Sequence, residues 1–317
     1  MYLKFWGTRG SIPTPVTSAQ IKAKIRQALL GATGVNLDDK QAVERYLQRL
    51  PLPVQGTAGG DTTCLEVRCG EQLLIVDAGS GLRSLGLQLM QNGFAAGSRQ
   101  ADFLITHTHW DHIQGFPFFT PAFIPGNRFT FYSPFADLEN RLARQQHETY
   151  FPVSTDYMRA DFTFQTIAPQ QWNRVGRFKV YPLRLSHPGV TFGYRIEADD
   201  ICIVFASDAE YKRVAPQHVK NYLEFFKDAD LLIFDAQYTW PEALDKPDWG
   251  HSSAITGAEM AWRAGVKRLA LVHHDPTSPD EKIWAAAAQA ESYLSHRPAA
   301  RQPCKVMVAY DGLTLEI

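Results

Sequence analysis

The chain has 317 residues, 45% hydrophobic and 12% aromatic, which excludes a disordered or low-complexity protein and leaves ample length for a buried core. Its 32 basic and 33 acidic residues nearly cancel, so no electrostatic footprint for a polyanion stands out and a nucleic-acid substrate is not favoured. The opening residues carry no signal-peptide core, no apolar run could span a bilayer, and Cys64, Cys69, Cys202 and Cys304 form no CxxC pair; a cytoplasmic protein with reduced cysteines and no membrane partner is expected.

Residues 2–6 alternate as a first strand and run into Gly7-Thr8-Arg9-Gly10-Ser11. A glycine-bracketed turn of this kind either lets backbone approach a ligand closely or is simply tight. Residues 18–50 then break the strand pattern. Ile21, Ile25, Ala28 and Leu29, and later Val43, Tyr46, Leu47 and Leu50, recur at helical spacing. Asp38 or Asp39 is placed to start the second helix, and Pro51 and Pro53 to end it. This predicts a helical insertion near the N-terminus, open to use as a lid or as the surface of a homodimer, with simple packing as the expectation. Residues 65–69 alternate as a strand, and 72–76 form its hairpin partner, ending in Asp77-Ala78-Gly79. A helix over 82–90 precedes the next strand, Asp102-Phe103-Leu104-Ile105.

Directly after that strand comes Thr106-His107-Thr108-His109-Trp110-Asp111-His112. Extended backbone sends alternate side chains to one side, so His107 and His109 can face a common point. Asp111, read as the N-cap of a following helix, would swing itself and His112 back to the same place. Such ligand types aimed at one spot suit a divalent metal such as zinc. On His107-x-His109-x-Asp111-His112 the chain resembles the metallo-β-lactamase superfamily, and it does so over nearly its whole length. Within the superfamily it is most similar to the phosphodiesterase branch, which includes ribonuclease Z and the phosphoribosyl cyclic phosphate phosphodiesterases. The resemblance implies an α/β (α+β) fold, a four-layer αββα sandwich built as one domain over residues 1–317 with the insertion at about 18–50. It also implies that Asp77 orients the ligand region by hydrogen bonding from behind it, and that the turn at Gly7 lies near the metal site.

Further along, Phe116, Phe118, Phe119 and Phe123 make an aromatic run that either walls the cleft or fills the core. A strand over 129–132 and a helix through Leu138 and Leu142 follow, leaving His147 at the surface or at most behind the ligands. From Phe162 to Phe205 the period returns to two, which predicts the second sheet; its loops carry His187 and Asp208. Helices over 219–226 and 253–264 then alternate with strands over 231–234 and 268–272. Ser278-Pro279-Asp280-Glu281 reads as a capping box opening the last helix, before strands near 306–309 and 313–317.

By resemblance, His107, His109 and His187 hold one metal, and Asp111, His112 and His273 hold a second. Asp208 and a hydroxide bridge the two. Seven ligands thus imply two divalent ions, zinc, with manganese as the alternative. His273 is preferred over His274 because it directly follows a short apolar strand, and adjacent side chains on extended backbone point oppositely. Gly250-His251-Ser252-Ser253 resembles the histidine motif that serves the nuclease branch as general acid. Asp235 matches the carboxylate that orients this histidine; it would fix the tautomer and favour the cationic ring. The bland alternative is that His251 merely precedes an N-capping serine. The implied activity is hydrolysis of a small or cyclic phosphodiester by the bridging hydroxide, with Asp111, His251 and Asp235 as the catalytic set.

Two departures bear on the substrate. Only 20 residues separate His187 from Asp208, where ribonuclease Z commonly inserts its tRNA-clasping arm. The cysteines that form the structural zinc site of the cyclic phosphodiesterase are also missing. An RNA-processing nuclease of ribonuclease Z type, and a thioester or lactone hydrolase of the same superfamily, are the alternatives.

Overall fold

In the computed structural model, residues 1–211, 216–298 and 303–317 are described. Strand β1 (Tyr2–Gly7) is followed by helices α1 (Ser18–Gly31), α2 (Lys40–Arg49) and α3 (Leu52–Gln55). The hairpin β2 (Cys64–Cys69) and β3 (Gln72–Val76) leads to α4 (Gly81–Gln91), β4 (Gln100–Leu104) and the short α5 (Trp110–Ile113). Then come β5 (Arg128–Ser133), α6 (Leu138–Gln145) and β6 (Asp161–Thr166). The second half runs β7 (Asn173–Val175), β8 (Phe178–Leu185), β9 (Thr191–Ala198), β10 (Ile201–Ala206), α7 (Pro216–Phe226), β11 (Leu231–Asp235) and α8 (Trp240–Asp245). It closes with α9 (Ala254–Ala264), β12 (Arg268–Val272), α10 (Asp280–Ser295), β13 (Lys305–Val308) and β14 (Thr314–Glu316).

The strands form two seven-stranded sheets, ordered β14-β1-β2-β3-β4-β5-β6 and β13-β12-β11-β10-β9-β8-β7. Each has an antiparallel half and a parallel half, the latter running β3 to β6 in one sheet and β10 to β13 in the other. The layering follows from side-chain alternation. In β11, Leu231 and Ile233 join the core between the sheets, whereas Leu232 and Phe234 pack outward among α7 and α9. Ala270 and Val272 of β12 face inward in the same way, and Leu269 and Leu271 face outward. A parallel strand buried on both faces needs helices to cover it, and the result is the four-layer αββα sandwich. Most of the aromatic run after the metal motif fills this core: Phe116 and Phe119 are buried against Phe131 and Phe103, while Phe118 is exposed.

Three local expectations are corrected. The stretch over Phe162 and Phe164 does not begin the second sheet. It forms β6, parallel to β5 at the edge of the first sheet, where Phe162 and Phe164 pack against Phe131. The capping box at Ser278 does not form. Pro279 takes the N-cap position with no side-chain bond, and the Asp280 carboxylate turns away to accept from the Ala58 N–H at 2.9 Å and from Lys24 at 2.7 Å. The insertion is helical as expected, yet it is not packed in: no residue of α1, α2 or α3 is buried.

Candidate metal centre

Every residue of the expected site except His251, which lies between α8 and α9, sits at or beyond the end of a strand. Asp77 follows β3, His107 to His112 follow β4, His187 follows β8, Asp208 follows β10, Asp235 ends β11 and His273 follows β12. Strand ends of a two-sheet sandwich converge on one cleft, so residues spread over two hundred positions meet there. Three of them, Asp77, Asp208 and His273, sit at φ near 60°. Left-handed backbone is strained for most side chains other than glycine, though aspartate and histidine enter it more readily than the rest.

The side chains form two adjoining groups, His107, His109 and His187 in one and Asp111, His112, Asp208 and His273 in the other. Asp208 lies between them. Its Oδ1 is 3.2 Å from His112 Nε2, and its Oδ2 is 3.3 Å from His273 Nε2 and 3.8 Å from both His107 Nε2 and His187 Nε2. His187 Nε2 and His109 Nδ1 approach to 3.2 Å. Asp111 Oδ2 is 3.1 Å from His273 Nε2 and accepts the backbone N–H of Ser11 at 2.8 Å. Asp111 is not the N-cap of α5; that helix starts two residues earlier than expected, so His109 takes the cap position and the Asp111 carboxylate is free to face the cluster. The turn at Gly7 does touch the site. A Cβ on Gly10 would sit 2.4 Å from the His273 ring, so this position must stay glycine.

The outer nitrogens of His107, His112, His187 and His273 are committed. Asp77 Oδ2 is 2.8 Å from His112 Nδ1 and accepts the Thr106 hydroxyl at 2.8 Å. Thr106 Oγ1 in turn lies 3.1 Å from His107 Nδ1, so a single buried carboxylate orients two imidazoles. His187 Nδ1 donates to the Gly250 carbonyl at 2.9 Å, and His273 Nδ1 donates to Gln237 Oε1 at 2.9 Å. With those hydrogens spent, each Nε2 presents a lone pair inward. His107 Nε2 and His112 Nε2 are buried with no hydrogen-bond partner among the described residues. Such atoms are expensive unless something electropositive meets them. His274 points elsewhere, its Nε2 donating to the Ala309 carbonyl at 2.9 Å, and burial lowers its pKa to about 4.

Electrostatics agree with that reading. Burial lowers the pKa of His107 (well below the usual value), His109 and His187, keeping those rings neutral and able to ligate. Burial also opposes charge on His112 and His273, but Asp208 and Asp111 outweigh it and raise both, His273 to about 9. Asp208 and Asp111 are held well below the usual carboxylate range by those histidines, against the opposing effect of burial. The cluster therefore demands positive charge, and its nitrogen and oxygen donors fit a divalent cation.

His251 and Asp235 stand beside this cluster. Asp235 Oδ2 is 2.7 Å from His251 Nδ1, and its Oδ1 accepts the Gln237 N–H at 3.0 Å. The His251 ring stacks on His273 with centroids 4.9 Å apart and lies 5.1 Å from His187. Ser253, two residues on, is the N-cap of α9, so the bland expectation holds for the serine without displacing His251 from the site. His147 is exposed, and its ring bonds to Thr149, away from the cluster. Sequence reasoning missed Thr106, Gln237 and the Gly250 carbonyl. None belongs to a recognisable ligand type, and each matters only through what it holds.

A family profile described as "Beta-lactamase superfamily domain" matches residues 73–274. The probable metallo-hydrolase YhfI of Bacillus subtilis is 25% identical over 211 residues, covering 64% of this chain and 76% of that protein. Its crystal structure superposes with a TM-score of 0.65 over 99% of this chain and 98% of its own. A ribonuclease Z of Thermoplasma acidophilum is 22% identical and covers 76% of this chain and 88% of its own length. A structure described as a new diphosphatase from the PhnP family matches with a TM-score of 0.58 at 17% identity, over 100% of this chain and 97% of that one.

Proposed function

The chain belongs to the beta-lactamase superfamily and is a metal-dependent hydrolase, and on that premise we propose that it hydrolyses a small or cyclic phosphodiester at a dinuclear centre. In this reading His107, His109 and His187 hold one divalent ion; Asp111, His112 and His273 hold the other; and Asp208 is shared. Zinc suits the histidine-rich donor set. When bound, such a pair supplies Lewis acidity for the phosphate oxygens and a water acidified towards neutral pH. Asp77 and Thr106 keep His112 and His107 aimed inward. Asp235 accepts from His251 Nδ1, which leaves His251 Nε2 free to hold the proton that the departing alkoxide needs.

The observation that carries this reading is the 2.7 Å Asp235–His251 pair beside the ligand cluster. A poor alkoxide leaving group needs a positioned acid, whereas a thiolate does not. The resemblance to ribonuclease Z favours a second reading, RNA as substrate. Between His187 and Asp208, however, the chain has only the β9–β10 hairpin, with no arm to reach around a large RNA.

Elemental analysis of protein saturated with zinc or manganese is expected to approach two ions per chain. A ratio fixed at one would sink the dinuclear arrangement. Turnover of cyclic nucleotides and alkyl or aryl phosphodiesters is expected to exceed turnover of thioesters and lactones. Cleavage confined to precursor RNA would favour the nuclease reading.

A further inference from the structure

On the side of the cleft marked by His251, three side chains have no part in holding the cluster. Tyr238 is buried and meets the His251 ring edge to face, with centroids 5.7 Å apart. The Lys246 ammonium lies 4.3 Å from the centre of the Tyr238 ring and 5.5 Å from that of Trp249. Trp249 itself is two residues before His251 and 61% exposed, a costly place for the largest apolar side chain.

Several contacts fix this ledge. The Tyr238 N–H donates to the Ser252 carbonyl at 3.0 Å, tying the tyrosine to the strand of chain that carries His251. Thr239 and Glu242 form a complete capping box that starts α8, and Lys246 sits at the end of that helix. Gly250, between Trp249 and His251, has φ 81°, and a Cβ there would lie 2.3 Å from His187 Nδ1. Trp249 is thereby locked in register with the cluster through the Gly250 carbonyl that His187 uses.

We propose that Lys246 and Trp249, seated on the buried Tyr238, form the leaving-group subsite, and that it selects a planar aromatic leaving group carrying an anionic substituent. The proposal rests on the phosphodiesterase reading. If His251 protonates the departing oxygen, the rest of that group must lie on the His251 side of the phosphorus. Tyr238 touches both the His251 ring and the Lys246 ammonium, which bounds the length of any group held between them. An exposed indole offers a stacking face, and an ammonium already over aromatic rings offers a partner for the anion. A sulfonated or carboxylated phenol has this chemistry.

The test compares two methyl phosphodiesters, one with phenol and one with 3-sulfophenol as leaving group, on the metal-loaded enzyme. The readout is the ratio of their kcat/KM values, from which intrinsic reactivity cancels between variants. Wild type is expected to favour the sulfonate. Lys246→Met is expected to lower the ratio by about fivefold to tenfold, the size expected for one partly solvated charge pair. Lys246→Arg should restore it. Trp249→Leu should raise KM for both aryl esters, and Trp249→Phe should recover most of that loss. An unchanged ratio in Lys246→Met with wild-type turnover intact overturns the subsite alone. Wild type that hydrolyses neither diester overturns the phosphodiesterase reading, and the subsite with it.

Discussion

The metal centre and the N-terminal insertion are built by opposite means. At the centre, residues distant in sequence are held by buried hydrogen bonds, and three of them keep a left-handed backbone. In the insertion, local signals do nearly everything: Thr17 and Gln20 form a capping box, Asp39 caps α2, and Leu29 and Leu30 stay 64% and 76% exposed. One region is costly in local conformation and secured by its surroundings. The other folds on local propensity and leaves its apolar side chains in solvent. Changes at the centre should therefore be read in chemistry and metal affinity, and changes in the insertion should barely register in either.

The largest expected effect is at His251. Positioned acid catalysis is worth ~10²–10⁴-fold, so His251→Ala should lose about that much kcat on an alkyl phosphodiester while retaining both metals. A nitrophenyl ester should suffer far less, because nitrophenolate leaves without a proton. Asp235→Asn should act in the same direction and more weakly. Equal losses on both esters would assign His251 to substrate binding, and loss of a metal would put it among the ligands.

Beneath the turn that touches Asp111, a carboxylate without a histidine partner behaves differently from those in the cluster. Asp311 accepts from the N–H groups of Gly60 and Asp61 at 2.8 and 2.9 Å, yet burial raises its pKa to about 6. Its folded value exceeds its unfolded one, so its contribution to stability is present at pH below ~3.9 and is lost as pH rises through about 6. The shift corresponds to ~3 kcal/mol as an order of magnitude. Urea denaturation between pH 4 and pH 7 should show wild type losing ground against Asp311→Asn as pH rises. Parallel curves would show that Asp311 ionises at its ordinary value.

Asp77 is expected to matter through the metal. Removing a partner that orients a ligand costs about 10–100-fold in metal affinity. Asp77→Ala frees both His112 and, through Thr106, His107, so the upper end of that range is expected in a competitive chelator titration. Affinity within twofold of wild type would mean that packing alone holds the rings.

This contrast also explains what was legible in the sequence. The motif from His107 to His112 could be read because its residues are contiguous and follow an apolar strand. His187, Asp208 and His273 could be placed only by their positions after strands, since alone each is an ordinary turn residue. The supports could not be read at all. Gln237 reaches His273 only once β11 and β12 are paired, and the Gly250 carbonyl reaches His187 only across the four strands β8 to β11. Period-two alternation identified β6 but not its sheet, because alternation reports a half-buried face and not the neighbour that covers it. The proline and acidic residues at Ser278 matched a capping pattern, but the helix starts after Pro279, which leaves Ser278 and Glu281 one residue out of the box positions.

The smallest expected effect lies in the insertion, and it separates two meanings of an exposed apolar face. Leu30→Ser removes no buried contact, and surface substitutions usually change stability by no more than ~0.5 kcal/mol. Phe103, fully buried and stacked on Phe131 at 4.4 Å, should by contrast cost about 3–5 kcal/mol when cut to alanine. The two variants should be melted at two protein concentrations a hundredfold apart. If the hairpin is open to solvent, Leu30→Ser matches wild type at both, and only Phe103→Ala falls. If a second copy covers the hairpin, wild type itself melts higher at the higher concentration, by mass action, and Leu30→Ser removes that dependence. The tie between Lys24 and Asp280, which fastens α1 to the start of α10, is untouched by the substitution. A concentration-dependent loss would then report on association and not on the unfolding of α1.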